Sequence, residues 1–504
     1  MKLSKFAAKC PAPAQFSLIT VFRKLLPLVT ACVFGFIASP SLLAQATGSF
    51  SGTVVDKSGS AVPGASVVAT SEGTGQARNV KTDSAGHYVL PLLPIGTYTV
   101  RVDAGSFQSA ESKNLHLQVD EARELDFSLA PATVSSTVVV TGEAVAVETT
   151  SPSLGQVITG QQVSQLPLNG RDFVQLATLT AGATAETNPN SFFTQGSDSE
   201  VAARGSFSLS VGGSRPNSTD WLLDGVDNNE LTAGGIGVFS SIDDIAEFKV
   251  LTYTYSAEFG TRAGPTVLVT TKSGTNAFHG SAFEFVRNTD LDAKGDFDTT
   301  TPKFNLNQFG GSIGGPIVKD KTFFFVDGEQ KYQRQGITFT GLVPSLAQRN
   351  GDFSADSFGN PLGLNIGNPN LAGATPTNSP AHPNPYFQCD AEGNALPVNP
   401  DGSQPSGTAC NKIPTGLISS IGQGLINIYP TPNANQGNPN ASYNYINEPV
   451  RSLNETKFDV RVDHTLTLSD SIFGRFSYDQ AYSFVPGGAP GLAEANAFGS
   501  NETL

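Results

Sequence analysis

The stretch KFDVRVDHTLTLSDSIFGRFSYD, residues 457–479, decides between a soluble fold and a membrane barrel. Phe458, Val460, Val462, Leu466 and Leu468 alternate with Lys457, Asp459, Arg461, Asp463, Thr465 and Thr467. A period of two is a β-strand with one apolar and one charged face. Ser469-Asp470 predicts a turn, after which Ile472, Phe476 and Tyr478 resume the pattern. Two environments fit such a hairpin. A soluble sheet would bury the apolar face in a core. A transmembrane barrel would put it in lipid and turn the charges to a polar lumen.

The N-terminus weighs on that choice. Lys2, Lys5, Lys9, Arg23 and Lys24 precede the apolar run LLPLVTACVFGFIASPSLL, and Ala44-Gln45-Ala46 follows. Basic residues, an apolar run and a small-residue site read as a secretory signal over 1–46, cleaved after Ala46. Pro27 and Pro40 interrupt the run, which argues against a membrane anchor. Processing at Cys32 as a lipoprotein is disfavoured because the run stays apolar beyond it. After residue 46 no stretch approaches the roughly 20 apolar residues of a membrane helix. The exported protein is then soluble or a β-barrel. Cys389 and Cys410 remain after cleavage, and in an oxidising compartment they are expected to pair. A net charge of −14 with 52 glycines suits β structure and excludes a nucleic-acid partner, which selects a basic face.

Residues 47–130 read as short strands at regular spacing: SFSGTVVD, ASVVATS, ARNVKTD, GHYVLPLL, GTYTVRVDA and ARELDFSLA. Turn signals lie at Lys57-Ser58-Gly59, Val62-Pro63-Gly64 and Asp83-Ser84-Ala85-Gly86. The pattern predicts an antiparallel β-sandwich, transthyretin-like in class. GTVVDKSGSAVPGASVVAT and TDSAGHYVLPLLPIGTYTV resemble the carboxypeptidase regulatory-like domain, which implies core positions for Tyr88 and Tyr98. No peptidase activity follows. The histidines His87, His116, His279, His382 and His464 are scattered and make no zinc motif.

Residues 131–149 form a linker. Within it Thr137, Val138, Val139, Val140 and Thr141 are a short β-prone run able to add to a partner's sheet edge. The run resembles the TonB box of TonB-dependent outer-membrane receptors; it reads equally well as a last strand of the sandwich.

Residues 150–274 mix helix and strand. Ser153 and Thr159 are expected caps, with a helix over Gln161–Leu166. Asn169-Gly170 predicts a turn, and Asp172 caps a helix with Phe173, Leu176 and Leu179 as its apolar face. Arg171 beside Asp172 reads as a structural ion pair or a helix-end contact. WLLDGVDNNE, residues 221–230, reads as a strand turning at Asp224-Gly225, where Asp224 bonds its own backbone. A helix with Ile245 is expected to feed a strand at Phe248-Lys249-Val250, and Val267–Thr271 is a further strand. LPLNGRDF and VGGSRPNSTDWLLDGVD resemble the plug domain of TonB-dependent receptors of the Oar-like branch. The resemblance makes Asn169, Gly170, Arg171, Asp224 and Gly225 a structural signature of that plug. Thr252-Tyr253-Thr254-Tyr255 stands where many siderophore receptors carry arginine-glycine-proline, so no siderophore is implied.

Residues 275–504 resemble the first barrel strands of that family, in HGSAFEFVRNTDLDA and FNLNQFGGSIGGPIVKDKTFFFVDGEQKYQ. About 351–450 is a Pro/Asn/Gly-rich extracellular loop containing both cysteines. With that loop removed, strands of about 9–11 residues leave room for roughly six to eight, against roughly 22 in the large receptors. The expectation is a C-terminally truncated fragment.

The fold class is therefore mainly β: an N-terminal sandwich, a small α/β plug and an incomplete transmembrane barrel. The resemblance implies an outer-membrane receptor or transporter for a large ligand such as an oligosaccharide, peptide or protein. Its partners would be a TonB-type energy-transducing protein, outer-membrane lipid and an unknown extracellular ligand, with the sandwich and plug on the periplasmic side. No catalytic, cofactor-binding or metal-binding residue is expected, and no cofactor. One rival is a secreted or surface adhesion protein without transport, which would need no TonB box. Another is an exported hydrolase with Asp224 and Glu230 as its acids.

Overall fold

The computed structural model describes residues 47–131, 138–140, 153–186, 208–215, 218–230, 235–294, 301, 303–336, 338–363, 366–368, 386–401, 403, 405–467 and 470–484. The signal segment, its cleavage after Ala46, and Thr137 and Thr141 lie outside them.

The sandwich is built from β1 (Thr47–Asp56), β2 (Ser66–Ser71), β3 (Ala77–Lys81), β4 (His87–Pro94), β5 (Gly96–Asp103), β6 (Ala110–Leu117), β7 (Ala122–Glu124) and β8 (Phe127–Leu129). One sheet runs β4-β1-β7, with β8 also on β1; the other runs β3-β2-β5-β6. Alternate residues of both sheets, among them Phe50, Val54, Tyr88, Leu90, Tyr98 and Val100, fill the core. β6 was not legible in the sequence. Its inward residues change phase from Ala110 and Ser112 to Leu115 and Leu117 at Asn114, whose φ is 56°. ARELDFSLA, expected as one strand, is two. Asp126 leaves the ladder, and its carboxylate accepts from Thr53 N and Oγ1 at 2.6 and 2.7 Å. β9 (Val138–Val140) pairs parallel with β6 at the sheet edge.

The plug contains β10 (Leu154–Thr159), β11 (Ala183–Glu186), β12 (Ser208–Val211), β13 (Asp220–Leu223), β14 (Val226–Asp227), β15 (Ile245–Tyr253) and β16 (Thr266–Thr271). Its main sheet has the order β10-β15-β16-β13-β14. Thr159 caps the helix Gly160–Gln165 with a reciprocal Gln162 contact. Ser153 caps nothing helical; it precedes β10. Asp172 caps a 3₁₀ helix, Phe173–Leu179, by accepting from Val174 N at 2.9 Å. Phe173 and Leu176 are buried, but Leu179, the last residue of the helix, is exposed. The helix expected around Ile245 is absent. Ser241–Asp244 makes one turn, and Ile245 already belongs to β15. β15 lies between β10 and β16 and is buried on both faces, so its sequence does not alternate.

The barrel portion is one antiparallel sheet: β17 (His279–Asn288), β18 (Phe304–Val318), β19 (Thr322–Gly336), β24 (Val450–Thr465) and β25 (Ser471–Phe484), in that order. Five such strands are found among the described residues, and they do not close. β18 and β19 are 15 residues each and β24 is 16, longer than a bilayer crossing requires. On β24, Phe458 and Val462 are exposed while Asp459 and Arg461 are buried under the plug. Ile472 and Phe476 of β25 face outward as well. The apolar alternation of 457–479 is thus the outer face of a sheet whose inner face is charged.

Between β19 and β24 lie two small two-stranded antiparallel sheets. β20 (Phe339–Gly341) pairs with β23 (Tyr445–Asn447), and β21 (Gln388–Cys389) pairs with β22 (Thr408–Ala409). Cys389 and Cys410 are disulfide-bonded, with Cα atoms 5.8 Å apart. The described part of the loop is held by hydrogen bonds from the segment before it. Arg349 donates to the carbonyls of Ile426 and Tyr429 at 3.2 and 2.8 Å.

Candidate functional site

The plug packs against the inner face of β17–β19 and β24–β25, and the contact is polar. It is built around the turn between β13 and β14. Asp224 and Gly225 have φ of 51° and 83°, the two left-handed positions of a type I′ hairpin. Gly225 takes that geometry freely; Asp224 tolerates it. The expectation that Asp224 bonds its own backbone is corrected. Its Oδ1 accepts from Thr271 N at 2.9 Å and its Oδ2 from Thr271 Oγ1 at 2.8 Å. Two barrel arginines complete the set: Arg461 Nη1 and Arg475 Nη1 each lie 3.2 Å from an Asp224 oxygen. Arg461 also donates to the Thr271 carbonyl at 3.2 Å. With four donors on a buried carboxylate, Asp224 has no geometry for acid–base catalysis, and the hydrolase reading loses its first residue.

A second contact forms at Asn169–Arg171. Gly170 has φ 69° and Arg171 φ 57°, which swings the Arg171 side chain away from its neighbour Asp172. The Arg171–Asp172 pair expected from sequence is replaced by an ion pair with Asp243 and another with Glu329 of β19 at 3.4 Å. The guanidinium also stacks 3.8 Å above the Phe283 ring of β17. Gln308 Nε2 bridges Glu329 and the Gly170 carbonyl at 2.6 and 3.4 Å. Asp172 itself is half-buried, and desolvation pushes its carboxyl up to about 7 despite the Val174 N–H.

A third contact brings together Asp244 of the plug, Asp327 of β19 and Asp459 of β24. Ser241 Oγ donates to Asp327, and Arg475 lies 3.5 Å from Asp459. No motif announces this group, because its members sit on three elements distant in sequence. Beside these contacts a cleft of 670 Å³ opens between plug and wall, lined by Arg287, Lys303, Lys331, Lys457, Glu329 and Glu455 among others.

The sandwich docks on the plug's other end. Val119 N donates to Glu247 at 2.5 Å, and Lys249 Nζ reaches the Asp120 carbonyl and carboxylate at 2.7 and 3.2 Å. Val119, Leu251 and Leu268 make a small apolar core beneath them. Burial pushes the Glu247 carboxyl up to about 7, more than the Val119 N–H and Lys249 offset.

Of the residues singled out by sequence, Asp224, Gly225, Gly170 and Arg171 therefore lie at the plug–wall contact. Val138–Val140 and the disulfide lie elsewhere: one on the sandwich edge, the other in the loop. Arg461, Arg475, Asp327 and Asp459 were visible only as the charged phase of barrel strands.

Two family models match parts of the chain. Residues 270–504 match the model of an outer membrane beta barrel domain, and residues 49–130 match the carboxypeptidase regulatory-like domain. The chain is 27% identical over 300 residues to the TonB-dependent transporter Oar of Myxococcus xanthus, covering 57% of this chain and 27% of that protein. It thus spans about a quarter of the length of the curated relative it matches. Among solved structures it resembles the siderophore receptor PirA of Acinetobacter baumannii, at 16% identity over 72% of this chain and 37% of that one, TM-score 0.35. It also resembles the outer membrane transporter YddB of Escherichia coli, at 9% identity over 66% and 33%, TM-score 0.34.

Proposed function

We propose that this outer-membrane protein, a homologue of the TonB-dependent transporter Oar with a carboxypeptidase regulatory-like domain before its plug, is a TonB-dependent transporter for a large ligand such as an oligosaccharide, peptide or protein. The observation that carries the reading is the chemistry of the plug–wall contact. An obligate core would be apolar. Here the plug is fastened by Asp224 to Arg461 and Arg475 and by Arg171 to Glu329. Such charge-assisted bonds are directional, and once broken they can be exchanged for water. A plug so fastened can be displaced and can return.

Displacement needs a handle. Val138–Val140 supplies one as a short strand before the plug, and Thr137–Thr141 as a whole is the proposed TonB box. Its three-residue parallel pairing with β6 is small enough to exchange for pairing with a TonB-type partner. The sandwich and plug face the periplasm in this reading, and energy comes from the inner-membrane partner.

The test is Val139→Pro, which removes a backbone donor in the middle of the run. Binding of a TonB C-terminal domain, measured by calorimetry, is expected to be lost. Unchanged binding would show that the segment is not the box.

A further inference from the structure

The cluster Asp244, Asp327 and Asp459 has no role in the reading above, and it is chemically odd. All three are buried, Asp244 to 1% exposure and the others to 3%. Their oxygens lie within 4.8 Å of one another. Both oxygens of Asp244, and one each of Asp327 and Asp459, accept no hydrogen bond. A buried carboxylate without a donor is strongly unfavourable and must be neutralised. The charged groups facing the cluster do not suffice. Arg475 of β25 lies 3.9 Å from Asp244 and is shared with Asp224 and Asp459. Arg461 of β24 is committed to Asp224 and Asp463. Lys272, after β16, donates its ammonium to the Asp243 carbonyl and makes no ion pair with the cluster, so its charge reaches Asp244 and Asp327 only from a distance.

Two species could neutralise the group. A proton joins two oxygens and leaves the third carboxylate unpaired. A cation takes one oxygen from each. For an ion at about 2.3–2.6 Å from each ligand, oxygens on opposite sides sit about 5 Å apart, so oxygens all within 4.8 Å of one another can share one ion. The ligands are all hard oxygens, which selects calcium or magnesium over zinc. Three carboxylates from three separate elements give an irregular oxygen set, which calcium tolerates and magnesium does not; water would complete the six to eight ligands that calcium takes.

We propose that Asp244, Asp327 and Asp459 bind a calcium ion that ties the plug to strands β19 and β24 of the barrel wall. The inference requires only that the plug sits against the wall, so it stands or falls apart from the transport reading.

The protein in detergent is unfolded thermally, with Trp221, the only tryptophan in the chain, reporting on the plug. Bound metal is measured by atomic emission after gel filtration. Chelation with EDTA is expected to lower the midpoint, and calcium chloride to restore it where magnesium chloride does not. Asp244→Asn keeps the shape and removes a charged ligand; it should weaken calcium binding about tenfold or more and abolish the EDTA shift. If that variant does not fold, Asp327→Asn makes the same test from the wall side. Calcium held equally by variant and wild type would place the ion elsewhere and overturn the proposal. So would a midpoint indifferent to EDTA whose pH dependence is weaker in Asp244→Asn than in the wild type, which identifies a shared proton. A response to magnesium without one to calcium would overturn the choice of ion.

Discussion

Asp224 shows how one carboxylate changes meaning between sequence and structure. The Asp-Gly turn was legible, since few residues tolerate two successive left-handed positions. Its ligands were not: Thr271, Arg461 and Arg475 lie 47, 237 and 251 residues further along the chain. Local rules reach two or three residues and carry no information at that range. Glu247 makes a second residue-scale point, through pH. Its carboxyl stands at about 7 in the folded protein against an ordinary 4.5. The folded state therefore holds a proton that the unfolded chain releases, and stability is lost as pH rises from about 4.5 through 7. Asp172, also at about 7, acts in the same direction. Glu247→Gln removes one of the two. The urea midpoint followed by Trp221 should fall less steeply between pH 5 and pH 8 than in the wild type. Equal slopes would mean that Glu247 titrates normally.

At the scale of the element, the strands of the barrel were the most legible part. The period of two in 457–479 survives as Phe458 and Val462 outward with Asp459 and Arg461 inward. The prediction that belongs here concerns the lipid face. Phe476 is 59% exposed on the outer side of β25. Phe476→Arg should cost about 2–4 kcal/mol if it lies near the bilayer midplane, measured by urea unfolding in lipid vesicles, while Phe476→Leu should be tolerated. An arginine accepted without loss would mean that this face is not in lipid. The start of β15 was misread and β6 was missed altogether, for opposite reasons. β15 is covered on both faces, so no alternation exists to read. β6 alternates, but its phase breaks at Asn114. Arg171 was assigned its sequence neighbour as partner because chain proximity was the only distance available; its φ of 57° carries the side chain to the wall instead.

For the molecule as a whole, sandwich, plug and wall form a series joined by polar contacts: Glu247 and Lys249 at one junction, Asp224 and Arg171 at the next. The domain order was readable from sequence motifs, because each domain carries its own local pattern. The junctions were not, because they are made between domains. The central claim is that the plug is fastened to the barrel wall by Asp224 and its two arginines. A double-mutant cycle with Asp224→Asn and Arg475→Gln measures that directly, using urea unfolding in detergent monitored at Trp221, itself buried beside the turn. Residues in one ion-pair network are expected to couple by about 0.5–3 kcal/mol. A coupling in that range is the predicted result; effects of the two substitutions that simply add would contradict the account.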